Sequence, residues 1–231
     1  MKNKLSLVAL IFAGLLLAAP VSAEMISFGD HSIYWPGYPA TDDLYGPDNT
    51  REEIGGPHLA GGRVVFGPGG ITSIGIMGNG YSGVLPGDLF IDFGANQTWD
   101  YVVAPKEGSY YVFPVSIALN NSSAYLMTGK DNQAPWAGYD VRNQHPYALA
   151  NPPDPSSAWG TASFSGLVEN GYSTFSFDKP IPITGDFIVG WTVNCANDVI
   201  YETVPAPEPA GLLLLGFGLI GLLAFRKQAR D

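Results

Sequence analysis

Between residues 24 and 203 the chain consists of short runs rich in β-branched and aromatic residues, cut at close intervals by glycine and proline. No stretch of useful length carries the three-to-four-residue apolar spacing of an amphipathic helix. A sequence so punctuated can close a core only by pairing strands. Ten runs fit the strand pattern: 62–66, 71–77, 88–93, 99–104, 109–119, 124–128, 161–168, 173–177, 187–194 and 199–203. Alternation is clearest at 173–177, where Ser173, Phe175 and Phe177 fall on one face and Thr174 and Ser176 on the other. The number and spacing of these runs predict an all-β domain, a single antiparallel β-sandwich or jelly roll. About 180 residues is the size of one domain and enough to enclose a core.

Two apolar segments flank this region. Lys2 and Lys4 precede an apolar run over 5–19, and Val21-Ser22-Ala23 supplies the small residues of a cleavage site. Residues 1–23 therefore read as a signal peptide that enters the Sec export machinery and leaves a mature N-terminus at Glu24. At the other end, Val204-Pro205-Ala206-Pro207-Glu208-Pro209 can continue neither strand nor helix, because each proline lacks an N–H and restricts the residue before it. Residues 210–225 carry no charge, and Arg226, Lys227 and Arg230 follow within the tail 226–231. This basic group stays cytoplasmic, which leaves everything upstream outside. A 16-residue helix spans only about 24 Å of a hydrocarbon core roughly 30 Å thick, although basic side chains snorkel to extend it. Such a span suits a temporary anchor in the inner membrane.

The order of proline knuckle, Leu/Gly-rich helix and basic cluster over 204–231 resembles the PEP-CTERM sorting signal, the Gram-negative counterpart of the LPXTG cell-wall signals. Pro207, Glu208 and Pro209 match its motif. The resemblance implies recognition by a membrane-embedded exosortase, removal of the apolar helix, and release or reattachment of the ectodomain in the envelope or exopolysaccharide. The basic cluster departs from the pattern, being interrupted by Gln228 and Ala229 and ending in Asp231. More loosely, the runs 86–92, 99–103 and 195–204 are similar to those of other PEP-CTERM ectodomains. That similarity implies a shared sandwich whose last strand runs straight into the anchor, and it brings no activity with it.

Residues 24–204 hold six basic and 19 acidic side chains, a net of −13. This balance argues against nucleic acid as a partner. Cations or a neutral hydroxyl-rich polymer suit such a surface, and so does solubility alone. Cys195 is the sole cysteine, so the domain has no internal disulfide and holds by packing. Within the apolar run 187–195 it reads as a small buried side chain.

Two groups are candidate binding sites. The proline-rich stretch 130–157 has no strand period and reads as a long loop of the kind that often carries function. Its Trp136, Tyr139 and Tyr147 offer rings to stack on sugars, while Arg142 and His145 offer hydrogen bonds. The alternative role of such a loop is to cover the open edge or end of the sandwich. The second group is Asp88, Asp92 and Asp100. In a strand Asp88, Phe90 and Asp92 share one face, with the two carboxylates about 7 Å apart, and Asp100 or loop carbonyls would complete a calcium site. The alternative is that Asp88 caps a turn and Asp92 faces water. Asn194, Asn197 and Asp198 are residues common in hairpin turns. His31, His58 and His145 are far apart in turn-like sequence.

The metalloprotease, nucleophile-elbow, phosphate-loop and dinucleotide signatures are all absent from the sequence. The expectation is an exported, non-enzymatic envelope or extracellular-matrix protein with a structural or adhesive task. One alternative is a carbohydrate- or calcium-binding module of the exopolysaccharide. Another is a polysaccharide hydrolase built on a carboxylate pair.

Overall fold

The chain's structure, a computed structural model, describes residues 23–38, 41–42, 56–128 and 142–207. Its first strands are β1 (Glu24–Phe28), β2 (Thr41–Asp42), β3 (His58–Gly67), β4 (Gly70–Asn79) and β5 (Leu89–Phe93). They are followed by β6 (Thr98–Lys106), β7 (Ser109–Ala118), β8 (Tyr125–Met127), β9 (Arg142–Asn143) and β10 (Pro146–Leu149). The last are β11 (Gly160–Phe164), β12 (Gly171–Ile181), β13 (Phe187–Thr192) and β14 (Val199–Val204). All ten runs expected from the sequence form strands, and the domain is all-β. Among its described residues, the stretch expected to lack strands contains β9, β10 and a 3-10 turn at Pro155–Ser157. The correction has a local cause: β10 finds a partner in β8, with Leu149 opposite Tyr125, and pairing overrides weak patterning.

Ten strands form one sheet in the order β1-β3-β4-β12-β11-β7-β6-β5-β13-β14, and β8/β10 and β2/β9 form two small pairs. The two sheets of a sandwich are thus joined into one. β11 makes the join, because Ala162 pairs with Tyr110 of β7 on one side and with Phe177 of β12 on the other. The sheet curls until its ends meet in a near-barrel. Residues 31–35, just beyond β1, run back along β14: Ser32 Oγ donates to Tyr201 O at 2.6 Å and Trp35 Nε1 to Ile200 O at 2.9 Å.

The interior is filled from every wall by residues such as Val64, Ile74, Ile91, Phe175, Val189 and Trp191. Each side chain of this kind contributes roughly 1.5–3 kcal/mol on burial. On β12, Ser173, Phe175 and Phe177 are buried while Ser176 is exposed, as the alternation predicts. A second core lies on the outer side of β5, β6, β7 and β13, where Phe90, Trp99, Val102, Phe113 and Ile188 pack under Trp35, Leu119, Tyr125 and Leu149. Three segments outside the large sheet, 33–38, 119–128 and 142–150, supply this cover. β13 is consequently buried on both faces along its whole length, which is why its sequence is an unbroken apolar run. Gly190 has a specific reason to be there: a Cβ at this position would lie 2.6 Å from Cη2 of Trp99.

Cys195 sits buried in the turn after β13, and burial pushes its thiol up to about 11. Among the described residues no helix is long and apolar enough to cross a membrane. The expected signal segment up to residue 22 and the expected helix at 210–225 lie outside the described residues.

Candidate functional site

β13 and β14 form an antiparallel hairpin whose tip is the 193–198 turn and whose open end is the pair Phe187–Val204. The tip is tied down. Asp198 Oδ2 accepts from Leu59 N at 2.6 Å, and Asn197 Nδ2 donates to Gly56 O at 3.1 Å. Leu85 N donates to Asn194 Oδ1 at 2.9 Å. The expected hairpin role of these three residues is therefore their observed one. At the open end Val204 is fully buried, and the chain leaves the domain there through Pro205, Ala206 and Pro207. Two contacts hold this exit. Ala206 N donates to Asp186 Oδ1 at 2.9 Å. Two residues back from Val204, Glu202 accepts from His31 N at 2.6 Å and from Ser32 Oγ at 3.1 Å, with His31 Nδ1 3.5 Å from its second oxygen. Glu208 and Pro209 lie outside the described residues.

The Asp100 charge acts on Asp92, and all three acidic candidates are taken up by backbone bonds. Asp88 and Asp92 lie on the Phe90 side of β5 as expected, but that side is covered, and the two residues are only 3% and 1% exposed. Each carboxylate serves nearby backbone. Asp88 Oδ2 accepts from Leu149 N at 2.7 Å; Asp92 accepts from Asn96 N at 3.2 Å and Gln97 N at 2.9 Å; Asp100 Oδ2 accepts from Phe93 N at 2.7 Å. Burial pushes the Asp88 carboxyl up to about 7, with the Leu149 bond opposing, and raises Asp92 as well. Among the described residues no three His, Cys, Asp or Glu side chains gather closely enough to hold a metal ion.

Of the loop candidates, Trp136 and Tyr139 lie outside the described residues, Arg142 and His145 are buried, and Tyr147 is half-buried. Arg142 Nη1 donates to Ile33 O, and the Arg142 amide donates to Cys195 O at 3.1 Å and Asn197 Oδ1 at 3.2 Å. His145 joins two covering segments, since its Nε2 accepts from Trp35 N at 3.1 Å and its Nδ1 donates to Pro146 O at 2.8 Å. Those bonds require the neutral ring. Burial, with the Arg142 charge, holds the imidazole down at about 3. These two side chains lie within the cover on the outer face of the sheet.

A family model described as the PEP-CTERM protein-sorting motif matches residues 205–228. The chain carries a PEP-CTERM sorting motif. No curated protein and no solved structure matches the chain. The PEP-CTERM motif implies export, an exosortase as processing partner and a membrane-anchored precursor. It starts at Pro205, immediately after the buried end of β14, so the last strand does run directly into the signal. Sequence reasoning located the PEP-CTERM knuckle but missed Asp186, Glu202, His31 and Ser32, the residues that hold its base. The only sequence signal for Asp186 is a carboxylate just before a strong apolar strand; that β14 would pair with that strand is a tertiary fact.

Proposed function

We propose that the chain is a non-enzymatic envelope or extracellular-matrix protein, exported through the Sec machinery and processed at its C-terminus by an exosortase. Its β-domain is the delivered cargo. The observation that carries the reading is the sorting motif at 205–228 following a strand whose last residue is fully buried. Removal of everything beyond Pro207 would leave the sheet whole. The N-terminus supports the same reading, because β1 begins at Glu24, the residue expected to follow signal cleavage. A structural task fits the uses found for Asp88, Asp92, Asp100, Arg142 and His145, which bond to backbone within the domain.

The sorting part is tested by following the full-length chain in its host with and without the exosortase. The expected result is a shorter product only when the enzyme is present; conversion in its absence contradicts the reading. The non-enzymatic, structural part is tested by titrating calcium and neutral glycans into the mature protein. Neither should give heat or raise Tm, and a saturable shift with either would replace this reading with a binding module.

A further inference from the structure

We propose that Asp186 is a positioning residue for sorting-signal processing: it holds the base of the knuckle, Pro205-Ala206-Pro207, in one extended direction as the chain leaves the folded domain towards the motif. The assignment rests on the sorting reading above. Between the end of β14 and the motif, Pro205 and Pro207 have no N–H, so Ala206 carries the only backbone donor of residues 205–207. That donor goes to Asp186 Oδ1 at 2.9 Å. Asp186 is itself fixed: its carbonyl accepts from Gly94 N at 3.1 Å, and its neighbour Phe187, fully buried, pairs with Val204. Val204 and Ala206 each precede a proline, which confines both to extended backbone. Each residue from Val204 to Pro207 is thus either a proline or restricted by the one after it, and the backbone N–H among 205–207 is held by a carboxylate.

From Ala206 to Glu208 the chain advances at most about 7 Å, so an enzyme that reads the motif meets the base of the domain at once. A segment already ordered in one direction loses less conformational freedom on entering an active site than one that swings about Pro205. Processing breaks one peptide bond at or beyond the motif. The acyl carbon passes to water, giving a new carboxylate and a free amine on the helix, or to an amine of an attachment acceptor. Asp186 takes part in neither transfer and acts only through the geometry of the substrate.

The test is a pulse-chase of the full-length chain in a host that contains its exosortase. Asp186→Ala should slow conversion of precursor to product about two- to thirteenfold, the factor that loss of one hydrogen bond of about 0.5–1.5 kcal/mol brings. Asp186→Asn, which keeps an oxygen for Ala206 N–H, should restore the wild-type rate. Inserting Gly-Pro after Val204 leaves the domain untouched, moves Ala206 out of reach and puts a residue without an N–H in its place, and should slow conversion as Asp186→Ala does. Because the bond is exposed and lies beyond the sheet, the melting temperature of the Asp186→Ala domain should fall by no more than about 5 °C. Conversion of Asp186→Ala and the insertion variant at or above the wild-type rate overturns the role of Asp186 alone. A wild-type precursor that is never converted overturns the sorting reading itself.

Discussion

On the outer side of β12, Ser176 is exposed and Thr174 half-buried; on the outer side of β13, Ile188 and Gly190 lie beneath Trp35 and Trp99. Both strands belong to one sheet and line one interior. They differ only in what lies outside them. β12 has one covered face and alternates, whereas β13 has two and is apolar throughout. The second cover comes from segments with at most a short ladder of their own, so many of their backbone groups must be satisfied singly. That is the use found for Asp88, which takes the Leu149 amide, and for His145, which takes the Trp35 amide. The covered side is therefore where charge and titration are buried, and where the domain is most easily broken.

Trp35→Ala should break the contrast most severely. Trp35 is fully buried, with Phe90, Trp99 and His145 rings 5.1, 5.2 and 5.2 Å away, and its loss should cost about 3–5 kcal/mol in denaturant unfolding. A smaller loss, about 1–3 kcal/mol, is expected of Gly190→Ala, since the added methyl must displace Trp99. Stability against pH sharpens the comparison further. The Asp88 carboxyl is raised from 3.8 to about 7 in the fold, so its contribution falls as pH rises from about 4 to 7. The His145 imidazole is lowered from 6.5 to about 3, so its contribution is present above about 6.5 and is lost as pH falls towards 3. Each slope is at most ~1.4 kcal/mol per pH unit, and the two oppose each other between about pH 4 and 6.5. Asp88→Asn should leave a stability that climbs with pH to about 6.5, and His145→Gln one that declines between about 4 and 7; unfolding at stepped pH reads both. On the open side, Ser176→Ala should change stability by no more than about 0.5 kcal/mol. A comparable loss at Ser176 and Trp35 would erase the distinction between the two sides.

Strand content was legible in the sequence because pairing residues and breakers are local signals: all ten runs became strands, and the Ser173–Phe177 alternation has the predicted sense. β1 was missed because it is a short edge strand, with Glu24, Met25 and Ser27 exposed and little pattern to read. Joining the strands into one curled sheet was not legible either. It depends on β11 pairing on both sides and on His31 and Ser32 meeting Tyr201 and Glu202 across some 170 residues. The same limit governs the candidate site residues. Period-two reasoning placed Asp88, Phe90 and Asp92 on one face, but could not say that the face is covered, and so left Asp92 to water or calcium. Arg142 and His145 belong to a stretch for which a covering role was one of two readings, and the covering role is the one observed for them, over a face of the sheet and not over its end. The sorting knuckle was legible because its information is linear.

The intact mass of the protein recovered from outside the inner membrane tests the account most directly. The account predicts a chain that starts at Glu24 and lacks the apolar segment 210–225. A mass that still includes Asp231 would contradict it.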